Sequence, residues 1–339
     1  MLVLVTGAAG RIGHHLTRLL LDAGHQVRAF VLPDDPRAEL IRAPGVELFP
    51  SRLEDDGALT AAATGVDAIY HLGGALTSRG NSDQEFFDLN VKTTFTLLMA
   101  ARAAGARLQR FVYASSDAVY LPGAHQGPCY LPIDESHPRL AATVYGGSKV
   151  AAEDLSLSFW RAFGVPTTIL RFGATADADE LVTPNSVFAR WLFLHEAIAH
   201  LERSGGPTAT LDALRTLDDG RDQVVIFANA NGQPEIRQWS DARDVADGCA
   251  RVLDVPGAIG EAFNLGGVAP FAADTLGTHL ADRLGMPCVT ALLPSARAAW
   301  YISSAKARGV LGYQPRWTVF DMVDEAIKTT HHSPAANTG

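Results

Sequence analysis

Over the first half of the chain, short apolar runs rich in β-branched residues alternate with longer stretches whose apolar positions recur at helical spacing. The runs Leu2 to Val5, Val27 to Val31, Val46 to Phe49, Ala68 to His71, Phe111 to Ser115 and Thr167 to Leu170 predict strands. Between them the spacing predicts a first helix that stops at Gly24, a good residue to follow a helix end, and helices near Ala58 to Ala63, Phe86 to Ala104 and Tyr145 to Phe163. Strands that alternate with helices build a parallel sheet covered on both faces, an α/β, doubly wound architecture.

Beyond Arg171 the rhythm weakens. From Asn185 to Gln223 a helical pattern is interrupted by Ser204-Gly205-Gly206-Pro207 and Asp218-Asp219-Gly220, which predicts an irregular cap facing a substrate. A strand at Val224 to Ala228, a helix at Asp241 to Leu253, a strand at Ala262 to Leu265 and helices near Thr275 to Leu284 and Phe320 to Lys328 follow. The expected division is a nucleotide-binding domain over 1–171, a smaller α/β substrate-binding region over 172–330 with segments returning to the first domain, and a disordered polar tail over 331–339.

Composition narrows the functions. The formal charge is −9 and no long run of Lys or Arg occurs, so the polyanion affinity behind nucleic-acid binding has no source. Three widely spaced cysteines, Cys129, Cys249 and Cys288, lack CxxC spacing and argue against a disulfide framework or zinc site, which favours a reducing cytoplasm. No stretch of about 18 apolar residues predicts a membrane span.

The turn Thr6-Gly7-Ala8-Ala9-Gly10-Arg11-Ile12-Gly13 joins the first strand to the first helix. Glycines there let the backbone approach a pyrophosphate, whose charge meets the helix N-terminus, so a dinucleotide site is expected. At the end of the second strand Val31 stands where an acid would hold the ribose hydroxyls of NAD, and Asp34 and Asp35 come slightly late. The two carboxylates disfavour the extra phosphate of NADP, although Arg11 or Arg37 is placed to reach one. NAD is the expected cofactor and NADP stays open.

Tyr145 and Lys149 are four residues apart and share a helical face. A tyrosine keeps its proton at neutral pH unless a cation stabilises the phenolate, and Lys149 is placed to do so. Upstream, Ser115 and Ser116 end a strand on hydroxyl groups at the edge of the sheet where such folds bind ligands, and one of them is expected to hold a substrate hydroxyl.

At this point the chain resembles the extended short-chain dehydrogenase/reductase family, also called the NAD-dependent epimerase/dehydratase family. The resemblance runs from the glycine turn through His71-Leu72-Gly73-Gly74, Asp88-Leu89-Asn90-Val91, Ser115 to Tyr120, Pro132-Ile133-Asp134-Glu135, Tyr145 to Lys149 and Ile169-Leu170-Arg171 to Leu311-Gly312-Tyr313-Gln314-Pro315. It implies a Rossmann-type sheet, with Ser116 as catalytic hydroxyl, Tyr145 as acid/base, and Lys149 as the residue that binds the nicotinamide ribose and lowers the tyrosine pKa. Cofactor contacts are implied from Gly7, Gly10, Arg11, Ile12, Gly13, Leu53, Leu72, Gly73, Asn90, Tyr145 and Lys149, beside Asp34. Substrate contacts are implied from Ser116, Asp117, Asn185 and Arg237, the last matching a phosphate-contacting arginine.

The family pattern also breaks in places. Ala118 replaces the glutamate base of the dehydratases, Phe172-Gly173 follows the strand where an asparagine usually contacts a nucleotide sugar, a late Arg-x-x-Asp is missing near Leu293 to Arg297, and Ser51-Arg52-Leu53 replaces a Gly-Asp-Leu type segment. His14 and His15 have no ligand-spaced partner in sequence and read as surface or capping groups rather than metal ligands. The leading expectation is an NAD-dependent epimerase of a sugar or nucleotide sugar. A dehydrogenase or reductase of a smaller hydroxy or keto substrate is the alternative, and a noncatalytic dinucleotide sensor is disfavoured by the joint presence of Ser116, Tyr145 and Lys149. A homodimer is expected through the helices Phe86 to Ala104 and Tyr145 to Phe163, with Phe95, Leu98, Leu155 and Phe159 as candidate contacts.

Overall fold

A computed structural model describes residues 1–76, 80–123, 126–293 and 299–332. Residues 294–297, within the segment where the late Arg-x-x-Asp was sought, and 333–339, most of the expected tail, lie outside the described residues. The chain forms two compact units: Met1–Gly173, Ala242–Gly266 and Ile302–Gln314 build the first, and the rest of the described chain builds the second.

The first unit opens with β1 (Leu2–Thr6), α1 (Gly13–Asp22), β2 (Gln26–Val31), β3 (Val46–Pro50), α2 (Asp56–Ala63) and β4 (Ala68–His71). It continues with α3 (Asp83–Phe86), a π-helical turn at Phe87–Lys92, α4 (Thr93–Ala104), β5 (Arg110–Ser116), α5 (Val144–Phe163) and β6 (Thr167–Phe172). The second unit then supplies β7 (Ala174–Ala176), α6 (Leu194–Ser204), α7 (Thr208–Arg215), β8 (Val224–Ala228), β9 (Ile236–Arg237) and β10 (Trp239–Asp241). The chain returns to the first unit for α8 (Ala242–Arg251) and β11 (Ala262–Leu265), and to the second for β12 (Phe271–Ala272), α9 (Ala273–Leu284), β13 (Cys288–Leu292) and β14 (Ala299–Trp300). α10 (Ala305–Leu311) belongs to the first unit and α11 (Val319–His332) to the second.

The first unit is a Rossmann-type α/β fold around a seven-stranded parallel sheet, ordered β11-β6-β5-β4-β1-β2-β3. Successive side chains of β1 enter opposite layers: Val3 and Val5 pack with Leu16, Leu20 and Val245, whereas Leu4 packs with Leu59, Leu97 and Phe111. Strand order reverses at β1 and β4, where Thr6 lies beside His71. Such a switch point opens a crevice at the carboxyl ends of the strands.

Helix α5 starts where the Thr143 hydroxyl accepts the Gly146 N–H at 3.0 Å and ends at Gly164, whose φ of +70° suits a helix terminus. Leu98 and Phe159, expected at a dimer surface, instead pack into the unit's own core with Leu59 and Phe111. Their position on the helix turns them inward, while Phe87, Phe95, Met99 and Phe163 are left exposed.

The second unit corrects the expectation of an irregular segment from 185 to 223. Ser204-Gly205 is the end of α6, with Gly205 at φ +65°, and Pro207 precedes α7. Leu194, Ala197 and Leu214 of these helices pack on Val225 and Phe227 of β8, together with Ala291 of β13, so the segment has a core of its own. Among the described residues no helix is long and apolar enough to cross a membrane.

Candidate active site

The glycine turn sits at the switch-point end of β1. Gly7 has φ +67°, and a Cβ there would lie 3.0 Å from the Gly73 backbone; a Cβ on Gly13 would lie 2.1 Å from the Gly7 carbonyl oxygen. The turn is therefore closed to side chains, and α1 begins directly behind it with no side-chain cap on its first amides. Those amides are the groups that a pyrophosphate engages, so the turn fits a dinucleotide. Leu53 comes within 3.0 Å of where a Gly73 Cβ would be, which brings Leu53, Gly7 and Gly73 to one place, with Leu72 beside them at partial burial.

His71, buried at the end of β4, ties this region to α4. The Thr93 hydroxyl donates to the Leu89 carbonyl at 2.7 Å, so its oxygen accepts the His71 Nε2–H at 3.3 Å. Nδ1 is then the acceptor and takes the Thr6 hydroxyl proton at 2.9 Å, while the Thr6 oxygen accepts the Gly73 N–H at 3.0 Å. The chain of bonds assigns the neutral Nε2–H tautomer. Burial, with the Lys149 charge adding to it, lowers the His71 pKa to about 3, in keeping with that neutrality.

Ser116 ends β5 and caps the following 3-10 turn, its oxygen accepting the Ala118 N–H at 3.2 Å and its hydroxyl donating to Asp117 Oδ1 at 3.3 Å. Tyr145 and Lys149 descend the face of α5 that meets this strand end. The Lys149 ammonium is buried, donates to the Ala114 carbonyl at 2.9 Å and lies 6.0 Å from the Tyr145 ring centroid. Among the described residues that carbonyl is its hydrogen-bond partner, which leaves ammonium protons for a ribose. The half-buried Tyr145 phenol is pushed up to about 12 by desolvation, against a hydrogen bond with Ser116 that lowers it and the Asp117 charge that raises it. This is opposite to the expected lowering by Lys149: the ammonium is directed to the Ala114 carbonyl, and desolvation is the largest cause of the shift. Burial also brings the Lys149 pKa down to about 8, with Glu153 opposing the shift.

One turn beyond Lys149, Glu153 belongs to the site and was missed from sequence. Its Oε1 accepts the Ser115 hydroxyl at 2.6 Å and Arg171 Nε at 2.9 Å; its Oε2 accepts Arg171 Nη2 at 2.7 Å and Arg139 Nη1 at 3.2 Å. Arg171 Nη1 donates to the Tyr120 hydroxyl at 2.7 Å, which donates to Asn264 Oδ1 at 2.8 Å. The spacing Tyr145, Lys149, Glu153 carried the signal, since each is one turn from the last.

Asn90, expected to touch the cofactor, is buried in the π-helical turn with its amide engaged: Nδ2 donates to Ser148 Oγ at 2.9 Å and to the Ala75 carbonyl at 3.3 Å, and Oδ1 accepts the Ala75 N–H at 2.8 Å. It fastens the segment after β4 to α5. Asp34 is exposed at φ +59°, while Asp35 is engaged by Arg37 Nη2 at 2.7 Å and Nε at 3.0 Å. Arg11 and Ile12 lie in the glycine turn beside Gly10. Asn185 and Arg237 belong to the second unit, Asn185 exposed at φ +67°. Arg237 is paired with Glu235: its Nε donates to Glu235 Oε2 at 2.8 Å, and a second guanidinium nitrogen closes on the same oxygen.

Residues 3–190 match the model of the NAD dependent epimerase/dehydratase family. A short-chain dehydrogenase/reductase superfamily protein from Agrobacterium tumefaciens, crystallised with bound NAD, superposes with a TM-score of 0.86 at 34% identity, covering 98% of this chain and 97% of that one. The chain is also 29% identical to a 3 beta-hydroxysteroid dehydrogenase/Delta 5-->4-isomerase from Mycobacterium tuberculosis, over 96% of this chain and 89% of that protein. It is 28% identical to a UDP-glucose 4-epimerase from Halalkalibacterium halodurans, over 96% and 94%. With its glycine turn at the switch point and its serine, tyrosine and lysine at the end of β5, the chain belongs to the NAD dependent epimerase/dehydratase family and is an enzyme of the extended short-chain dehydrogenase/reductase type.

Proposed function

We propose that this enzyme is an NAD-dependent epimerase of a sugar or nucleotide sugar, with Tyr145 as the group that moves the substrate hydroxyl proton. The observation that carries the reading is the convergence of Ser116, Tyr145 and the buried Lys149 at the end of β5, in the unit that holds the glycine turn. The turn Gly7 to Gly13 would hold the pyrophosphate of NAD, and Lys149 its ribose. When bound, NAD supplies the acceptor and later the donor of a hydride.

Ser116 orients the reacting hydroxyl toward Tyr145. As the carbon loses hydride, the phenolate takes the hydroxyl proton and a ketone forms; return of the hydride to the opposite face of that carbon, and of the proton from Tyr145 to its oxygen, restores an alcohol of inverted configuration. Proton and hydride balance, so no cofactor is consumed. The phenol, near 12 before cofactor binds, must be brought down for this, and positive charge from Lys149 beside the bound cofactor acts in that direction.

A second reading, net dehydrogenation or reduction, is favoured by the engagement of Arg237 with Glu235 and by Phe172-Gly173 at the position of the sugar-contacting asparagine. The two are separated by mass spectrometry of the purified protein and by turnover with a panel of nucleotide sugars and free sugars. Retained NAD and product without net NADH support the epimerase. NADH formed in step with product overturns it in favour of the dehydrogenase.

A further inference from the structure

Asp117 stands beside Ser116 at the start of the 3-10 turn Asp117–Tyr120, partly exposed and within the first unit. The Ser116 oxygen carries one proton to donate and two lone pairs that accept. One lone pair takes the Ala118 N–H at 3.2 Å, and the proton is directed to Asp117 Oδ1 at 3.3 Å. The same hydroxyl is hydrogen-bonded with the Tyr145 phenol.

A single proton serves Asp117 or Tyr145, not both at once. While Tyr145 is a phenol it donates its own proton, and the Ser116 proton stays on the carboxylate. Once the phenol ionises it becomes an acceptor, and Ser116 stabilises it only by turning its hydroxyl away from Asp117. The Ser116 bond lowers the Tyr145 pKa and the Asp117 charge raises it, so the two neighbours act on one group in opposite directions. A hydroxyl on a carboxylate usually lies at about 2.5–2.7 Å. At 3.3 Å the Ser116–Asp117 bond is long and readily exchanged.

Other charges near the phenol are already directed elsewhere. The Lys149 ammonium is on the Ala114 carbonyl, and Tyr113 of β5 is kept a neutral phenol by burial, with the Glu153 and Tyr145 charges adding to it. α3 packs on Tyr145 through the Phe86 ring, while its acids Asp83 and Glu85 are exposed. In the π-helical turn, Asp88 accepts Gln84 and Lys92 pairs with Asp56.

We propose that Asp117 is a positioning residue of the reaction, which holds the Ser116 hydroxyl proton in the resting enzyme and yields it to the Tyr145 oxygen as that oxygen gains negative charge. No O–H bond breaks in the exchange; the Ser116 hydroxyl rotates about its C–O bond. The inference deepens the proposed function and rests on its assignment of Tyr145 as the group that moves the substrate proton, whether the net outcome is epimerisation or dehydrogenation.

The test is carbon NMR of the full chain labelled at tyrosine Cζ, whose shift follows ionisation, titrated with saturating NAD; Tyr145→Phe identifies the signal. Asp117→Asn keeps the shape and removes the charge. The Tyr145 midpoint is expected to fall in it by about half to one pH unit, a roughly three- to tenfold easier ionisation. With any sugar that is turned over, the rising limb of kcat/KM should move to lower pH by the same amount, which a merely structural role would not produce. Asp212→Asn, an exposed acid of α7, should leave both unchanged. In a Ser116→Ala background the Asp117→Asn shift should shrink, because only the field of the carboxylate remains to be lost. Should Asp117→Asn fail to fold, Asp117→Ser, small and neutral, carries the test with the same expected shift. Equal midpoints in parent and variant, or a phenol that ionises in neither below alkaline unfolding, overturn the proposal. So does an equal shift with and without the Ser116 hydroxyl. A shifted midpoint in a protein that turns over no sugar would refute the hydride chemistry and leave the Ser116–Asp117 relation standing, whereas equal midpoints in an active enzyme do the reverse.

Discussion

Glu153 accepts the Ser115 hydroxyl at 2.6 Å, deep inside the first unit. This bond separates two adjacent serines. Ser115 faces inward and helps to hold α5 against β5, while Ser116 stays partly accessible beside Tyr145. Ser116→Ala is expected to reduce kcat/KM by about 10²-fold, as for a lost donor at the reacting oxygen, with little change in melting temperature. Ser115→Ala is expected to cost about 1–3 kcal/mol of stability while keeping most of the activity. Paired kinetics and thermal melts of both variants check this, and interchanged effects would reverse the assignment.

Glu153→Gln leaves Arg171 buried without its carboxylate. Removing one partner of a buried pair typically costs about 3–5 kcal/mol, so this variant should lose more stability than either serine variant in urea titration. A melting point equal to the parent would show that the pair does not hold the strand and helix together.

Tyr145→Phe keeps the ring, whose edge packs against Phe86 at a centroid distance of 5.7 Å, and removes only the hydroxyl. Turnover is expected to fall by ~10²–10⁴ with NAD affinity retained in a direct binding assay. Near-normal turnover would remove Tyr145 from the mechanism.

His71 has a pKa of about 3 in the folded chain against 6.5 for the free group, so the unfolded state binds more protons between those values. Stability should therefore fall as pH drops from about 6.5 toward 3, by up to ~1.4 kcal/mol per pH unit from this residue alone. His71→Gln should flatten that slope in acid titrations, and nitrogen NMR of the parent should find the neutral Nε2–H form at pH 5. A ring that titrates near 6.5 would break the proposed Thr6–His71–Thr93 bond chain.

The exposed side chains Phe87, Phe95, Met99 and Phe163 support a homodimer as a proposal, with Phe95 edge-on to Phe159 at 5.9 Å and Arg102 over Phe163 at 3.8 Å. Phe95→Glu combined with Met99→Glu should convert a dimer to a monomer in light scattering. A monomeric parent at micromolar concentration would count against the interface.

The alternation of apolar runs, the helix after the glycine turn and the Tyr145–Lys149 spacing were legible in the sequence because they depend on local periodicity and on neighbours one turn away. Even Glu153 continued that spacing, although its burial did not show. Tertiary structure decided what each polar group meets. Glu153 finds Ser115 and Arg171 from two strands, Asn90 is bonded to Ser148 on α5, His71 takes its tautomer from threonines on two other elements, and Arg237 is claimed by Glu235. Glycine breaks at 204–207 looked like disorder of pattern and proved to be helix ends, because a left-handed glycine closes a helix as readily as it interrupts one. Hydrophobic periodicity specifies which face of an element turns inward; the partner of a buried charge or amide is set only when elements distant in sequence are packed together, since its energy lies in the bonds that replace water.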